Sequence, residues 1–349
     1  MVSSGTEGHV RPGGAADDLP FLAGVFGLGE VHDVRYLAEG LMNRNWRVRT
    51  ARGEFALKLI VDVPVVKARR SLGVLQPLAA AGLPVCAPCL TAAGDALAEI
   101  DGRSYCLLPW AAGVHRPGTT LDLNEAARLG VLLGEVHRSL AIPEAALPPA
   151  AEVPRAKVTA PESALAEADR FQEIIARLDE PSPFDLAAAT ALRRRKELIA
   201  EWAGRRPAVE VPRGPVGWTH GDFQHLNLLW RGPVISAVLD WDRLGVRPYA
   251  EEAVRSAQVQ FGTEDGRLDL GRVAAFVSGY RSVVPVSDAD LADAAERLWW
   301  KRMSDFWQLQ WHYDKDDHGP DRLWVSGERL LEWWTGSRDV VRDAFIARS

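Results

Sequence analysis

Between residues 31 and 61 apolar and polar positions alternate in short runs, around Val34 to Leu37, Asn45 to Thr50 and Glu54 to Val61, the last two split by Ala51-Arg52-Gly53. That period of two predicts a β-meander. Residues 65 to 81 carry Val66, Leu72, Leu75, Leu78 and Ala79 at mostly helical spacing. Gly82-Leu83-Pro84 stops the helix, and Pro77 predicts a kink within it. Arg103 to Leu108 reads as a further strand, ended by Pro109. Beyond it the period lengthens: Ala126, Leu129, Leu133, Val136 and Leu140 share one helical face, and Glu162 to Leu178 and Leu186 to Trp202 are helical too. The exception is Leu226 to Trp230 and Val234 to Leu239, separated by Arg231-Gly232-Pro233, which predict a β-hairpin in helical surroundings. Residues 1–18 are polar and rich in Gly, Ser and Asp and predict a flexible tail. The expected fold class is α+β, with a small antiparallel-sheet lobe over 19–108 and a larger, mainly helical lobe over 109–349.

Composition narrows the function. The 349 residues are 47% hydrophobic and 25% charged, enough for one large core or two smaller ones flanking a cleft. A formal charge of -6 and a pI near 5.8 argue against nucleic-acid binding, which needs clustered Lys and Arg, and favour a small ligand. No segment has the apolar length of a membrane span, and residues 1–18 lack the basic start and apolar run of a leader, so a cytoplasmic protein is expected. The sequence leaves the oligomeric state open. Three cysteines make no disulfide framework. Cys86-Ala87-Pro88-Cys89 spells C-x-x-C, but Pro84 and Pro88 predict an extended segment rather than the helix start of a redox motif.

The stretch richest in chemistry is Trp218-Thr219-His220-Gly221-Asp222-Phe223-Gln224-His225-Leu226-Asn227, followed after the hairpin by Leu239-Asp240-Trp241-Asp242. A turn centred on Gly232 sets Asn227 nearly opposite Val238, so Asn227 and Asp240 fall on one face a diagonal step apart, about 7 Å. One Mg²⁺ can be shared there, since this ion takes one or two carboxylates or amides plus phosphate oxygens and water. Asp222, in the preceding loop, is placed to orient a hydroxyl and accept its proton. Asp242 has the same strand parity as Asp240 and is a candidate for a second ion or water.

His220-Gly221-Asp222 with Asn227 resembles the H-G-D-x-x-x-x-N catalytic loop of the aminoglycoside phosphotransferase and choline kinase superfamily, and Asp240 stands where that family has its metal aspartate. The resemblance implies a two-lobed protein-kinase-like fold and transfer of the γ-phosphate of ATP or GTP, with Mg²⁺, to a hydroxyl of a small acceptor. It makes Asp222 catalytic, Asn227 and Asp240 metal ligands, and His220 a brace for the loop. Gly40 to Val48 resembles the turn over the nucleotide phosphates, where Asn43, Arg44 or Asn45 can supply side chains for missing glycines. Ala56-Leu57-Lys58-Leu59 resembles the lysine-bearing strand, so that Lys58 reaches the phosphates, and alternation turns Ala56, Lys58 and Ile60 away from Phe55, Leu57 and Leu59. Tyr105 to Trp110, with Leu108, resembles the hinge that pairs with adenine. Ser71 occupies the place of the usual helix glutamate, leaving the partner of Lys58 open.

Two patterns are set aside. Gly24 to Gly29 lacks the G-x-G-x-x-G order. Asp314-Lys315-Asp316-Asp317-His318-Gly319 mimics an EF-hand start but has His318 at its fifth position and Val325 at its twelfth, and reads as a solvated loop. His137 and His225 read as structural. Seven of the 13 tryptophans fall between Trp299 and Trp334. Most belong to a core, while Trp307 and Trp311 with Asp305 are candidates for an acceptor pocket. The first expectation for the acceptor is an antibiotic of aminoglycoside or nucleoside type or a related amino sugar. Choline, homoserine or a sugar is the alternative, and a nucleotide-binding pseudokinase or a hydrolase using His220, Asp222 and Asp240 are the competing functions.

Overall fold

A computed structural model describes residues 15–37, 43–150 and 154–346. Helix α1 (Ala15–Val25) precedes strands β1 (Val31–Leu37), β2 (Arg44–Thr50) and β3 (Gly53–Ile60). Helices α2 (Val65–Gly73) and α3 (Leu75–Ala80) follow, then β4 (Ala98–Ile100) and β5 (Arg103–Pro109). The five strands form one antiparallel sheet in the order β1-β2-β3-β5-β4. The kink falls where Pro77 requires it: with no N–H to offer the carbonyl four residues back, it splits the helix at Val74.

The alternation read in β3 sorts two cores. Leu57 and Leu59 join Trp46, Val48, Tyr105 and Leu107 against Leu22 of α1 and Phe26 just beyond it, whereas Ile60, Cys106 and Leu108 face the main core with α2 and α3. The helix on the outer face was not legible in the sequence, and it corrects the tail expected through residue 18; residues 1–14 lie outside the described residues. Asp18 is 3% exposed because its carboxylate accepts from Arg103 (2.8 and 2.7 Å) and from the Tyr105 hydroxyl (2.6 Å). The Arg103 guanidinium holds that carboxyl below its ordinary value. A polar segment can therefore be ordered when its charge is matched.

The remainder is helical around two short ribbons. Helices α4 (Leu123–Leu140), α5 (Pro161–Ala176) and α6 (Pro183–Trp202) lead to strand β6 (Val216–Thr219), the hairpin β7 (Leu228–Arg231) and β8 (Val234–Val238), and β9 (Gly245–Pro248), which pairs with β6. Helices α7 (Tyr249–Phe261), α8 (Leu270–Arg281), α9 (Asp288–Ser304), the short α10 (Trp307–Leu309), α11 (Trp324–Gly336) and α12 (Arg338–Ile346) complete the chain. The Cys86–Cys89 segment lies in no helix. Just before it the Val238 amide donates to the Pro84 carbonyl at 2.7 Å, and at its end the Cys89 amide donates to the Leu107 carbonyl of β5 at 2.8 Å.

Helices α4 and α8 meet at backbone contact. A side chain at Gly130 would overlap the Phe276 carbonyl, and one at Gly279 the Ala127 carbonyl. Gly130→Ala should therefore destabilise the fold by about 1–3 kcal/mol, as overpacking does, read as a lower urea midpoint at unchanged slope.

Candidate active site

Strand β6 delivers the chain into His220-Gly221-Asp222. His220 is fully buried: one ring nitrogen meets the Leu239 carbonyl at 2.9 Å, and Nδ1 lies 3.2 Å from the Asp222 amide. The carbonyl can only accept and the amide only donate, so Nε2 carries the proton and Nδ1 accepts. Burial keeps this imidazole below its ordinary pKa and hence neutral. Both nitrogens are spent on the loop, so the hydrolase reading, which needs His220 as a site group, does not hold. Gly221 has φ +86°, and any side chain on it would meet the Arg243 carbonyl. Its amide donates to the buried Glu252, whose other oxygen lies 2.7 Å from His137 Nε2. The Tyr280 hydroxyl, 2.9 Å from Nδ1, completes the chain. Burial pushes the Glu252 carboxyl up, but the bond and charge of His137 outweigh it and hold it below its ordinary value.

Asp222 is partly exposed. Its Oδ2 accepts from Gln224 (2.9 Å) and Asn227 (3.0 Å), and its Oδ1 from Arg255 (2.9 Å). The second amide hydrogen of Asn227 goes to the Asp222 carbonyl at 2.8 Å, which leaves Asn227 Oδ1 as an acceptor for a cation. The hairpin register departs from expectation by one position. A bulge between Leu229 and Trp230 places Val238 opposite Leu228, and the Leu239 amide donates to the Asn227 carbonyl at 2.8 Å. Nor does strand parity continue past Val238. Asp240 turns in the left-handed region at φ +56°, and Trp241–Arg243 is a single tight turn, so Asp242 is brought in by the turn.

That turn provides the partner of Lys58. Its Nζ lies 2.9 Å from Asp240 Oδ1 and 2.5 Å from Asp242 Oδ2. Burial disfavours the ammonium, but the two carboxylates outweigh it and raise its pKa. Between the carboxylates the effects divide. Lys58 holds Asp240 down against burial, while burial and the neighbouring Asp240 push Asp242 up. An amide oxygen from Asn227 and a carboxylate from Asp240 form an all-oxygen donor set of the kind Mg²⁺ takes.

On the sheet side, Asn43 is no free phosphate ligand. Its Nδ2 donates to Asp242 at 2.7 Å and its Oδ1 accepts from the Val61 and Asp62 amides at 2.9 and 3.3 Å. Asn45 pairs across the ladder with Lys58, and Leu108 with Ala56, which puts both on the cleft face. Gly40 lies outside the described residues.

Asp222 opens onto a cavity of about 950 Å³ between α5, α7 and α9, lined by Glu251, Arg255, Arg297, Trp300, Asp305 and Phe306 among others. Asp305 is therefore at the cavity, but Trp307 and Trp311 do not line it. They pack edge to face at 6.2 Å on the turn beyond, and Trp300 and Phe306 supply the aromatic wall. Arg243 and Arg247 also line it. Burial first, and the charges of Arg255 and Arg243 next, hold Arg247 below its ordinary value, with Glu252 opposing. Nη1 of Arg255, Nη1 of Arg297 and Oε1 of Glu251 are buried without a hydrogen-bond partner. These groups were missed in the sequence, although charges set among Ala250, Ala253, Val254 and Ala257 of an apolar helix are a usable signal.

Neutral His220 has a consequence for pH. Below about pH 6.5 the unfolded chain binds a proton that the buried ring does not, so stability falls as pH falls toward the folded value. His220→Asn should lower stability at neutral pH yet flatten its acid slope by up to ~1.4 kcal/mol per pH unit, measured by urea unfolding at a series of pH values.

Comparison with known proteins completes the site. The chain is 26% identical over 293 residues to a homoserine kinase from Methylobacillus glycogenes, covering 80% of this chain and 82% of that one. A homoserine kinase from Methylobacillus flagellatus is 24% identical over 331 residues, covering 92% and 93%. Among solved structures, a spectinomycin phosphotransferase in complex with ADP and spectinomycin shares the fold with a TM-score of 0.62 at 14% identity, covering 96% of this chain and 98% of that one. A choline kinase from Cryptosporidium parvum gives 0.56 at 11% identity, covering 93% and 96%. Residues 33–286, which take in most of the sheet and the H-G-D loop, match the phosphotransferase enzyme family, and the chain belongs to that family as a small-molecule kinase.

Proposed function

We propose that the protein transfers the γ-phosphate of ATP, or GTP, to the hydroxyl of a small hydroxy-amino acid, homoserine being the first candidate. The observation that carries the acceptor class is the arginine-rich wall of the cavity that holds Asp222, made by Arg243, Arg247, Arg255 and Arg297. Guanidinium groups pair with a carboxylate through charge-assisted hydrogen bonds, so this wall suits an acceptor that carries one. Glu251 on the same wall suits an acceptor ammonium. Relatives named homoserine kinase support this choice over a purely cationic antibiotic.

In this reading Lys58 leaves Asp240 and Asp242 for the phosphates when the nucleotide binds, and Asp242, tied by Asn43, keeps it in reach. Asn227 Oδ1 and the Asp240 carboxylate would hold Mg²⁺, which when bound offsets charge on the phosphates. Asp222 orients the acceptor hydroxyl, whose oxygen forms the new bond to the γ-phosphorus as the bond to the β-phosphate oxygen breaks. The hydroxyl proton passes to the Asp222 carboxylate. Leu108 and its neighbours in β5 offer backbone groups to the base.

A second reading is favoured by the cavity itself: about 950 Å³ is far more than an amino acid fills, and suits a larger, antibiotic-sized acceptor. Two variants test the proposal. Asp222→Asn should lower acceptor phosphorylation by at least about 100-fold while nucleotide affinity, by calorimetry, changes little. Retained turnover removes Asp222 from its role, and nucleotide binding without turnover in the unaltered protein against every acceptor supports the pseudokinase. Arg255→Ala removes a partner of Asp222 and should lower kcat for any acceptor, but should raise KM about 10- to 100-fold for homoserine alone and leave KM for the amino alcohol that lacks the carboxylate nearly unchanged. Equal KM effects on both acceptors contradict carboxylate recognition.

A further inference from the structure

The segment from 310 to 323, which contains the Asp314–Gly319 run read above as a solvated loop, brings together three metal-ligating side chains that the kinase site does not use. Gln310–Asp314 is a π-helical turn, a widened turn of the kind often retained at functional positions. It presents the His312 ring toward Asp321, at the start of the tight turn before α11. His312 Nδ1 lies 2.8 Å from Asp321 Oδ2 and 3.0 Å from His318 Nδ1, and His318 Nδ1 is 3.5 Å from the same carboxylate oxygen. One ligand atom from each of the three residues falls within 4.8 Å of the others.

Hydrogen bonding alone does not account for this arrangement. Two imidazole nitrogens 3.0 Å apart need one hydrogen between them, while the carboxylate beside them also needs a donor. A single N–H on His312 serves one acceptor well and leaves the other, and protonating both nitrogens sets two hydrogens against each other. The second oxygen of Asp321 is buried with no hydrogen-bond partner. A cation at the centre satisfies Oδ2 of Asp321 and both Nδ1 atoms at once.

Further carboxylates lie near the far side of each ring. His312 Nε2 is 3.8 Å from Asp185 Oδ1 and His318 Nε2 is 3.4 Å from Asp316 Oδ1, separations of ion pairs rather than of hydrogen bonds. Each ring thus points Nδ1 at the common centre with negative charge behind it. The His312 ring is held by stacking on Phe184 at 4.3 Å and by the edge of Tyr313 at 4.4 Å. Tetrahedral zinc at 2.0–2.1 Å from its ligands has ligand-to-ligand edges of about 3.4 Å. The three observed separations, 2.8, 3.0 and 3.5 Å, bracket that value, so binding needs only small side-chain adjustments.

We propose that His312, His318 and Asp321 form a structural site for a divalent transition metal, zinc by preference, with water as the fourth ligand on the exposed His318 side. Two imidazoles and one carboxylate suit zinc better than Mg²⁺ or Ca²⁺, which take oxygen. The ion would tie the loop to the π-turn and, through Asp185 and Phe184, to the start of α6. Gln310 of the same turn lines the acceptor cavity and donates to Glu167 at 3.1 Å, so the staple braces a wall of that cavity. The inference does not depend on the identity of the acceptor.

The test uses the full chain without an affinity tag, stripped with a chelator and titrated with zinc in excess Mg²⁺ against a chromophoric competitor. The expected result is one zinc per chain and a rise in melting temperature. His318→Ala and Asp321→Asn should each weaken zinc binding by more than about 10-fold and abolish the rise. His318 is more than half exposed, so its replacement leaves the metal-free fold intact, checked by the melting temperature of the stripped protein. Failure of the unaltered protein to take up zinc, or equal uptake by the His318→Ala variant, overturns the proposal.

Discussion

The cleft depends on one ammonium group held by two carboxylates. Lys58 reaches from the sheet into the turn after the hairpin, and Asp240 and Asp242 meet it there. Neither carboxylate is placed by regular structure. Asp240 sits in a left-handed conformation that few residues adopt, and Asp242 is fixed by the side chain of Asn43, itself anchored on the amides after β3. A residue just before β2 thus positions an acid of the helical lobe, and that acid positions a sheet lysine. Like charges so close oppose simultaneous ionisation, and the lysine offsets this cost. In the proposed function a nucleotide with its cation supplies the same charges in the opposite arrangement.

Behind it lies a second, drier network. Glu252 ties Gly221 to His137, and His220 ties Asp222 to Leu239, so the loop bearing Asp222 is supported from α4, α7 and β8 by groups that never reach solvent. Glycine at 221 allows the loop to pass against Arg243. The loop is tied down from behind, while the cavity in front is lined by Arg243, Arg247, Arg255 and Arg297.

How far this was legible depended on the range of each signal. Short periods made β1 to β3, β5, α4, α5, α6 and the hairpin visible, and the spacing of His220, Asp222, Asn227 and Asp240 drew attention to the site before any coordinates. Strands of three or four residues, such as β4, β6 and β9, give too few repeats of a period to be seen. Helix α1 was hidden because its acidic first turn reads as a continuation of the polar residues before it, and the Asp18 charge is met by Arg103 and Tyr105 from about 85 residues away. The partner of Lys58 was invisible for the same reason: nothing in the spacing links it to Asp242, 184 positions on. The hairpin register slipped because a bulge adds one residue without altering the apolar pattern. Trp307 and Trp311 misled because tryptophan density does not tell which ring faces a cavity.

The account stands most directly on acceptor-dependent ADP release, measured with ATP and Mg²⁺ for homoserine, for the matching amino alcohol without a carboxylate, and for spectinomycin. It predicts ADP release with homoserine, accompanied by phosphorylated product, and little with the other two. Equal release for the carboxylate-free alcohol, or release with spectinomycin alone, would contradict the assignment of the arginine-lined cavity to a hydroxy-amino acid.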